Sequence, residues 1–392
     1  MGDMAVSSHA PLSQASVRDG VIELAIGQPE PALLPTSDLA AAAATALQKY
    51  GADALGYGAE YGPWPLLDWL SAHLGAVDER APVAGELLIT AGISTALDLI
   101  ATTFTRHGDV VLVEVPTYHL ALGILGDHGV DLVGIETDAD GLRVDAVEAA
   151  IATAKAAGKR VSLLYTIPTF GNPTGRTLPV ERRAALARVG AANDLVIVED
   201  DVYRELWFSA PPPPSIGVVD PAAPVLRMGS FSKSLAPGLR LGWITGPSRL
   251  VGRVVEGGVL TSGGGLNPMI ALAVAEYAAA GKYEPNVSRL RDIFRSRSAA
   301  LVGALHEGLP DATFLEPEGG YFVWLRLPRG LSSESLLPTA DAAGLTYQPA
   351  SRFDASGTID ASWLRLSFAR YGEVDLIEGA RRLAAVVREA PR

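Results

Sequence analysis

The chain has 392 residues, of which 48% are hydrophobic, and its formal net charge is −12 at pH 7. This length favours two domains, or one large domain with a smaller appendage, and the acidic balance disfavours a nucleic-acid-binding surface, because phosphate backbones require clustered lysine and arginine. The sequence has no cysteine, which excludes disulfides, thiolate nucleophiles and cysteine-ligated metal sites.

A mostly parallel sheet with helices on both faces is predicted for the first two thirds of the chain. The first helix is expected to begin at a polar cap within residues 35–38 and to end at a glycine stop, Gly51. Short apolar runs then recur between alanine-rich helical segments. The runs are 87–90, 110–115, 132–136, 161–166, 195–199, 225–228 and 241–245. This alternation is typical of a buried parallel sheet, in which ligands bind at the carboxyl ends of the strands.

The pattern changes after Gly281. An arginine-rich helix over 287–306 precedes a strand over 320–327, a helix near 333–343 and a strand over 363–368. These elements predict a smaller α+β domain at the C-terminal end of the chain.

Export signals and metal-binding spacings are not found in the sequence. Residues 1–20 lack a basic segment followed by an apolar one, and no apolar run reaches the length of about 18 residues that a membrane span requires. The six histidines show no metal-ligand spacing. We therefore expect a cytoplasmic enzyme that binds small molecules, without a membrane, nucleic-acid or metal partner.

Anion-binding residue types surround one lysine in the run Gly-Ser-Phe-Ser-Lys-Ser-Leu-Ala-Pro-Gly-Leu-Arg-Leu-Gly, residues 229–242. Ser230 and Ser232 precede Lys233 and Arg240 follows it, with a Pro-Gly break between them that lets these groups converge on one phosphate. Such surroundings suit a lysine that forms a Schiff base with a phosphorylated aldehyde, pyridoxal phosphate. Taken alone, the run also fits a solvated lysine in a Ser/Gly turn.

Other candidate residues lie where predicted strands end. Asp200 directly follows a buried strand, although a helix cap or a solvated turn explains such an acid equally well. The segment 92–94 joins a strand to a helix, so its backbone amides are expected to face an anion. Arg365 stands in an otherwise apolar strand, where an unpaired charge costs several kcal/mol. It therefore requires an anion, either a substrate carboxylate or a structural salt-bridge partner.

The motif S-x-S-K-x-x-x-P-G-x-R-x-G resembles the cofactor-lysine signature of class I and II aminotransferases, which are fold-type I pyridoxal phosphate enzymes. The similarity runs from about Ile22 to the C-terminus, and within the family it is greatest to the 2-aminoadipate and kynurenine aminotransferase group, which also resembles the effector domain of MocR-type regulators. The resemblance implies an α/β fold in three parts. Residues 1–36 pack on the small domain and the substrate site, residues 37–280 form the large cofactor-binding domain, and residues 281–392 form the small domain.

The resemblance also implies a role for each candidate residue. Lys233 holds the cofactor aldehyde and then moves the proton at the substrate Cα, Asp200 binds the pyridine nitrogen, and Tyr118 stacks on the ring. Asn172 and Tyr203 donate hydrogen bonds to the 3′ oxygen. The residues implied at the phosphate are Gly92, Ile93, Ser94, Ser230, Ser232, Arg240 and, from the neighbouring subunit of a homodimer with shared active sites, Tyr57. The residues implied at the substrate are Arg365, which binds the α-carboxylate, with Asn172, Gly27 and Gln28.

The sequence departs from the family pattern at several positions. Relatives usually carry Ser-Gln at 93–94, glutamine at Gly171, where the glycine is expected to open space near the substrate, and Pro-Gly at 349–350.

We expect an aminotransferase of amino-acid biosynthesis that moves an amino group between an L-amino acid and a 2-oxo acid. Elimination, replacement or cyclisation stays open as the alternative, because the same residues generate the same carbanion. A ligand-sensing regulator is a third hypothesis, which the acidic balance and the few residues before Ile22 disfavour.

Overall fold

The computed structural model describes residues 17–263 and 266–390. The strands are β1 (Ile22–Glu23), β2 (Leu87–Thr90), β3 (Val110–Val115), β4 (Asp131–Asp138), β5 (Gly141–Leu142), β6 (Val161–Thr166), β7 (Val196–Asp200), β8 (Val225–Ser230), β9 (Gly242–Thr245), β10 (Thr313–Phe314), β11 (Phe322–Arg326), β12 (Leu345–Thr346), β13 (Gln348–Pro349) and β14 (Trp363–Ser367).

The helices follow the same numbering. They are α1 (Thr36–Tyr50), α2 (Trp64–Asp78), α3 (Ile93–Phe104), α4 (His119–Gly126), α5 (Val144–Ala156), α6 (Val180–Asn193), α7 (Ile216–Val219), α8 (Phe231–Ser234), α9 (Ser248–Val255), α10 (Gly258–Thr261), α11 (Pro268–Ala279), α12 (Tyr283–Gly308), α13 (Ser333–Ala342) and α14 (Glu373–Glu389). Within the described residues, no helix combines the length and the apolar character that crossing a bilayer requires.

The large sheet has the strand order β2-β9-β8-β7-β6-β3-β4-β5 in the part of the chain that the structure describes. The pairs from β8 through β7, β6 and β3 to β4 are parallel, whereas β9 runs antiparallel to β8 and β2. Alternate residues of β3 enter two different core clusters, with Val111 and Val113 on the α3 and α4 side and Val110 and Leu112 on the α5 and α6 side. Both faces are thus buried, which explains the continuous apolar runs, and the predicted mostly parallel sheet is confirmed.

The first helix starts differently from the prediction. It begins at Thr36 after Pro35, and no side chain caps it. The polar residues of this segment lie inside the first turn, where Asp38 still has a favourable interaction with the helix dipole but does not occupy the cap position. The predicted stop at Gly51 is present, with φ at 54°.

A second, antiparallel sheet forms in the C-terminal part of the chain. Its strand order is β10-β11-β14-β13, and α12, α13 and α14 bury their apolar faces in the core cluster beside it. The N-terminal strand β1 pairs in parallel with β12, and Leu24 enters the same core cluster. Residues 1–16 of the predicted N-terminal part lie outside the described residues. Residues 24–28 and the second sheet lie against the carboxyl ends of β6, β7 and β8 and enclose a cleft there.

Candidate active site

Lys233 lies at the carboxyl end of β8, in the four-residue helix α8. The Ser230 side chain accepts a hydrogen bond from the Ser232 amide at 3.0 Å, which caps α8. The lysine Nζ donates to the Gly27 carbonyl oxygen at 3.0 Å and lies 5.4 Å from the centroid of the Tyr321 ring. Burial, helped by the positive charge of a nearby arginine, lowers the pKa of Lys233 to about 8. A neutral, nucleophilic amine is therefore accessible close to physiological pH.

Asp200 ends β7, next to the strand that leads to Lys233. Its side chain is buried, and Oδ2 accepts a hydrogen bond from the Tyr165 hydroxyl at 2.6 Å. The other oxygen, Oδ1, is buried without a hydrogen-bond partner among the described residues. Burial raises the pKa of Asp200 to about 6. Buried polar atoms are normally satisfied, so an unpaired carboxylate oxygen indicates a place for a donor from a ligand.

Gly92 and Arg240 meet at the start of α3. Gly92 has φ at 86°, and a Cβ there would lie 2.7 Å from the Arg240 guanidinium. Only glycine therefore lets the arginine pack against this turn. Among the described residues Arg240 pairs with no carboxylate and donates only to the Pro237 carbonyl oxygen, at 3.3 Å. Ile93 and Ser94 are the first residues of α3, so their amides have no acceptor within the helix. An unpaired guanidinium beside a helix N-terminus can bind an anion.

Arg365 crosses the cleft from β14 and is only 3% exposed. Its Nη1 donates to Asn172 Oδ1 at 2.9 Å and its Nη2 to the Ala25 carbonyl oxygen at 2.7 Å. The guanidinium carbon lies 4.1 Å from the centroid of the Phe322 ring and 5.1 Å from that of Phe353. Burial lowers the pKa of Arg365 to about 10. No carboxylate pairs with it in the described part of the chain, so the structural salt bridge considered from the sequence is not found there.

Two predicted tyrosines border the same cleft. Tyr118 immediately precedes α4 and is partly buried; burial and the negative charge of Asp200 raise the pKa of its hydroxyl. Tyr203 is buried, with its ring 5.4 Å from that of Tyr321 and 5.8 Å from that of Phe322. Burial raises the pKa of Tyr203 well above its ordinary value, so it stays a hydrogen-bond donor at physiological pH.

The remaining predicted residues divide into two groups. Gln28 is partly buried and adjoins Gly27, whose carbonyl oxygen contacts the lysine. Tyr57 is 91% exposed, and its ring lies against Gly263. A Cβ at Gly171 would lie 3.1 Å from the Ile167 carbonyl oxygen and from the Thr174 hydroxyl, so the turn is tight directly around this residue. The expected opening of space near the substrate stays a prediction.

Two site residues have no counterpart among the predicted ones. Tyr165 holds Asp200 from the neighbouring strand β6, and Tyr321 donates to the Lys233 backbone carbonyl at 2.9 Å. The position of Tyr165 in the strand before Asn172 was a usable signal, since neighbouring strands end at the same edge of the sheet. Tyr321 carried no such signal, because its contact joins distant parts of the chain.

Comparisons with known proteins agree with this geometry. The family model described as aminotransferase class I and II matches residues 19–383. An aromatic-amino-acid aminotransferase of Thermococcus litoralis is 33% identical over 94% of this chain and 88% of the relative. A 2-aminoadipate transaminase of Thermus thermophilus is 32% identical over 99% of this chain and 95% of the relative. The solved kynurenine aminotransferase of Pyrococcus horikoshii superposes with a TM-score of 0.88, at 33% identity over 94% of this chain and 91% of that one.

Regulators also appear among the relatives. The HTH-type transcriptional regulator YdfD of Bacillus subtilis is 32% identical over 86% of this chain and 68% of the relative. Both predicted resemblances, to the aminotransferases and to regulator effector domains, are confirmed, as is the fold-type I architecture. The chain therefore belongs to the class I and II aminotransferase family, and is a pyridoxal phosphate-dependent enzyme that moves an amino group between an amino acid and a 2-oxo acid.

Proposed function

We propose that the cleft around Lys233 is the active site and that Lys233 moves the proton at the substrate Cα. The observation that carries this proposal is that a partly buried lysine, whose pKa is lowered to about 8, follows the strand next to the one that ends at Asp200, a buried carboxylate with one oxygen unpaired among the described residues. An amine with a pKa near the working pH both accepts and returns a proton efficiently.

The described residues fit pyridoxal phosphate at each of its functional groups. Lys233 would hold the aldehyde, the free Oδ1 of Asp200 would accept the ring N–H, and Arg240 with the start of α3 would hold the phosphate. Tyr118 would stack on the ring, and Asn172 and Tyr203 would donate hydrogen bonds to the 3′ oxygen. When bound, the cofactor supplies an electron sink for the electron pair left at Cα.

Asp200 has to stay ionised to keep a proton on the ring nitrogen. Burial raises its pKa to about 6, which opposes ionisation, but the Tyr165 hydroxyl donates to Oδ2 and stabilises the charged form. A cationic N–H at the free oxygen would lower the pKa further, because opposite charges favour each other's ionised state. Tyr165 is therefore proposed as the residue that fixes the carboxylate toward the ring.

Arg365 would bind the substrate's α-carboxylate. Among the described residues it is a buried cation without a carboxylate partner, and two hydrogen bonds and two aromatic rings already fix its guanidinium plane. A fixed planar fork binds a carboxylate through two parallel hydrogen bonds. Holding that end of the substrate restricts the motion of Cα relative to the Lys233 amine. This restriction lowers the entropic cost of reaching the transition state.

The substrate side chain would lie beside Gly27 and Gln28. A Cβ at Gly27 would meet the Phe322 ring at 3.0 Å, so the backbone at Gly27 packs directly against the ring that also contacts Arg365. The names of the relatives, which act on aromatic amino acids, 2-aminoadipate and kynurenine, favour an amino acid with a long or aromatic side chain.

We also propose a cytoplasmic homodimer with shared active sites and the three-part domain organisation given above. The exposure of Tyr57 is what a residue that reaches the phosphate of a neighbouring subunit requires. The pairing of β1 with β12 supports the packing of the N-terminal part on the small domain.

One experiment tests the reaction and its alternative together. The holoenzyme is offered a panel of amino acids with and without 2-oxoglutarate, and the products are analysed by mass. Transamination gives the donor's 2-oxo acid together with glutamate. It proceeds beyond one turnover per site only when the acceptor, 2-oxoglutarate, is present in excess over the enzyme. Multiple turnovers without an acceptor, with release of ammonia or of a substituent, would show elimination or replacement instead. Lys233→Ala is the control for conversion outside this site.

A further inference from the structure

The helix that carries Lys233 is too short to fix its own position. α8 has four residues, a single turn, and an isolated turn of helix is unstable without outside contacts. Its last carbonyl groups are bound from elsewhere in the fold. The Lys233 carbonyl oxygen accepts from the Tyr321 hydroxyl at 2.9 Å, and the Ser234 carbonyl oxygen accepts from Asn286 Nδ2 at 2.8 Å. The position of the lysine therefore depends on side chains outside α8.

The side chain of Ser234 is held by Tyr283, the first residue of α12. The Tyr283 hydroxyl lies 2.6 Å from Glu205 Oε2 and 2.8 Å from Ser234 Oγ. A phenol has one proton, and the charged carboxylate is the stronger acceptor, so Tyr283 donates to Glu205 and accepts from the Ser234 hydroxyl. Burial raises the pKa of Tyr283 well above its ordinary value, which keeps this proton in place.

Glu205 is in turn fixed from two sides. His73 Nε2 lies 2.6 Å from Glu205 Oε1, and Arg291 Nε donates to the Glu205 backbone carbonyl at 2.5 Å. The His73 ring is stacked on Trp69 with a centroid distance of 4.8 Å. Burial opposes ionisation of Glu205, but the hydrogen bonds from His73 and Tyr283 outweigh it and hold the pKa of Glu205 below its ordinary value. The acceptor of Tyr283 is thus an ionised carboxylate whose other oxygen is held by His73.

We propose that Tyr283 is a positioning residue for Lys233. Among the described residues no hydrogen bond joins it to the lysine amine; it fixes Ser234, the residue next to the lysine, through a directed chain of hydrogen bonds from Ser234 to Tyr283 to Glu205. The proposal rests on the proposed function of Lys233. Loss of the chain lets the single turn of α8 shift, and a displacement of about 1 Å of a catalytic group costs up to about 100-fold in rate.

The test uses holoenzyme with Tyr283→Phe, which removes one oxygen atom and keeps the ring. Two quantities are measured: the pH midpoint of the bound cofactor's absorbance, and the first-order rate of its bleaching at saturating amino acid. We expect a displaced midpoint and a fall in rate of about 10-fold to 100-fold, with an amino-acid Kd within about 3-fold of the wild-type value. Tyr277→Phe is the matched control, because Tyr277 is buried in the same core cluster and is not hydrogen-bonded to Glu205 or Ser234.

Ser234→Ala interrupts the same chain of hydrogen bonds at its other end. It should reproduce the displaced midpoint, and the double variant should be no worse than either single one, because both remove the same hydrogen bond. A wild-type midpoint and rate in Tyr283→Phe, or a rate loss equal to that of Tyr277→Phe, would overturn the proposal. If Tyr283→Phe does not fold, Ser234→Ala with a wild-type midpoint overturns it equally. Should wild-type protein and Lys233→Ala show the same cofactor absorbance, the proposed function of Lys233 itself would fail.

Discussion

Replacement of Arg365 by alanine is expected to weaken amino-acid binding by about 2–5 kcal/mol, the cost of removing one member of a buried charge pair, or about 30-fold to 5000-fold in Kd. The upper part of this range is favoured, because the guanidinium is only 3% exposed and is shielded from solvent by two aromatic rings. The variant should still fold. Two acceptors, on Asn172 and Ala25, lose their donors, but the fold no longer has to bury a cation for which the described part of the chain provides no carboxylate partner.

The assay is half-reaction kinetics with an amino acid and with the matched amine that lacks the carboxylate. Only the amino acid should bind more weakly, and cofactor affinity should stay unchanged because Arg240 and the start of α3, rather than Arg365, are proposed to hold the phosphate. Arg326→Ala is the control, since Arg326 ends β11 in the same sheet but pairs with Asp360 at the surface. Equal weakening of both substrates, or unfolding of the variant, would show that Arg365 has a structural role and that the carboxylate binds elsewhere.

Four further outcomes are expected. Lys233→Ala should lose the cofactor's absorbance near the visible edge, and borohydride-stable labelling equal to that of the wild type would contradict this assignment. In cofactor-free protein the lowered pKa makes the Lys233 amine neutral at lower pH than an ordinary lysine, so its acylation should rise with a midpoint near 8 rather than 10.5. Asp200→Asn should keep the cofactor but lose most turnover, because each unit by which the pKa of the ring nitrogen falls costs about 1.4 kcal/mol of its protonated form. Near-normal turnover would show that Asp200 does not bind the ring nitrogen. Mixing Lys233→Ala with Tyr57→Phe subunits should restore one wild-type-like site per hybrid dimer, and a fully active monomer in sedimentation would exclude shared sites.

The sheet was predictable because strands that are buried on both faces appear in the sequence as continuous apolar runs. The runs at 110–115 and 161–166 are continuous apolar segments, and the structure buries both of their faces, so the predicted bounds match β3 and β6. The start of α1 was not predicted correctly, because several polar residues in a row compete for the cap position and Pro35 displaces them into the first turn.

The candidate site was predictable where a residue's place in the chain fixes its place in space. Asp200 is the last residue of one parallel strand and Lys233 follows the next one, so both had to reach the same edge of the sheet. The hydrogen bonds that orient them were not accessible to such reasoning. Tyr321 reaches α8 from the residue before β11, and Tyr283 reaches it from α12. Such long-range contacts depend on packing that no local pattern specifies.

The contacts from residues 24–28 to the cleft have a consequence for mutagenesis. Ala25 and Gly27 contact Arg365 and Lys233 through carbonyl oxygens of the main chain. Such atoms persist in every side-chain substitution, so an alanine scan of this segment would leave these two hydrogen-bond acceptors in place. Changes that redirect the backbone are required to test them, such as deletion of one residue between β1 and Gly27 or a backbone ester at these positions. Sequence variation among relatives would likewise be a poor measure of how strongly this segment is constrained.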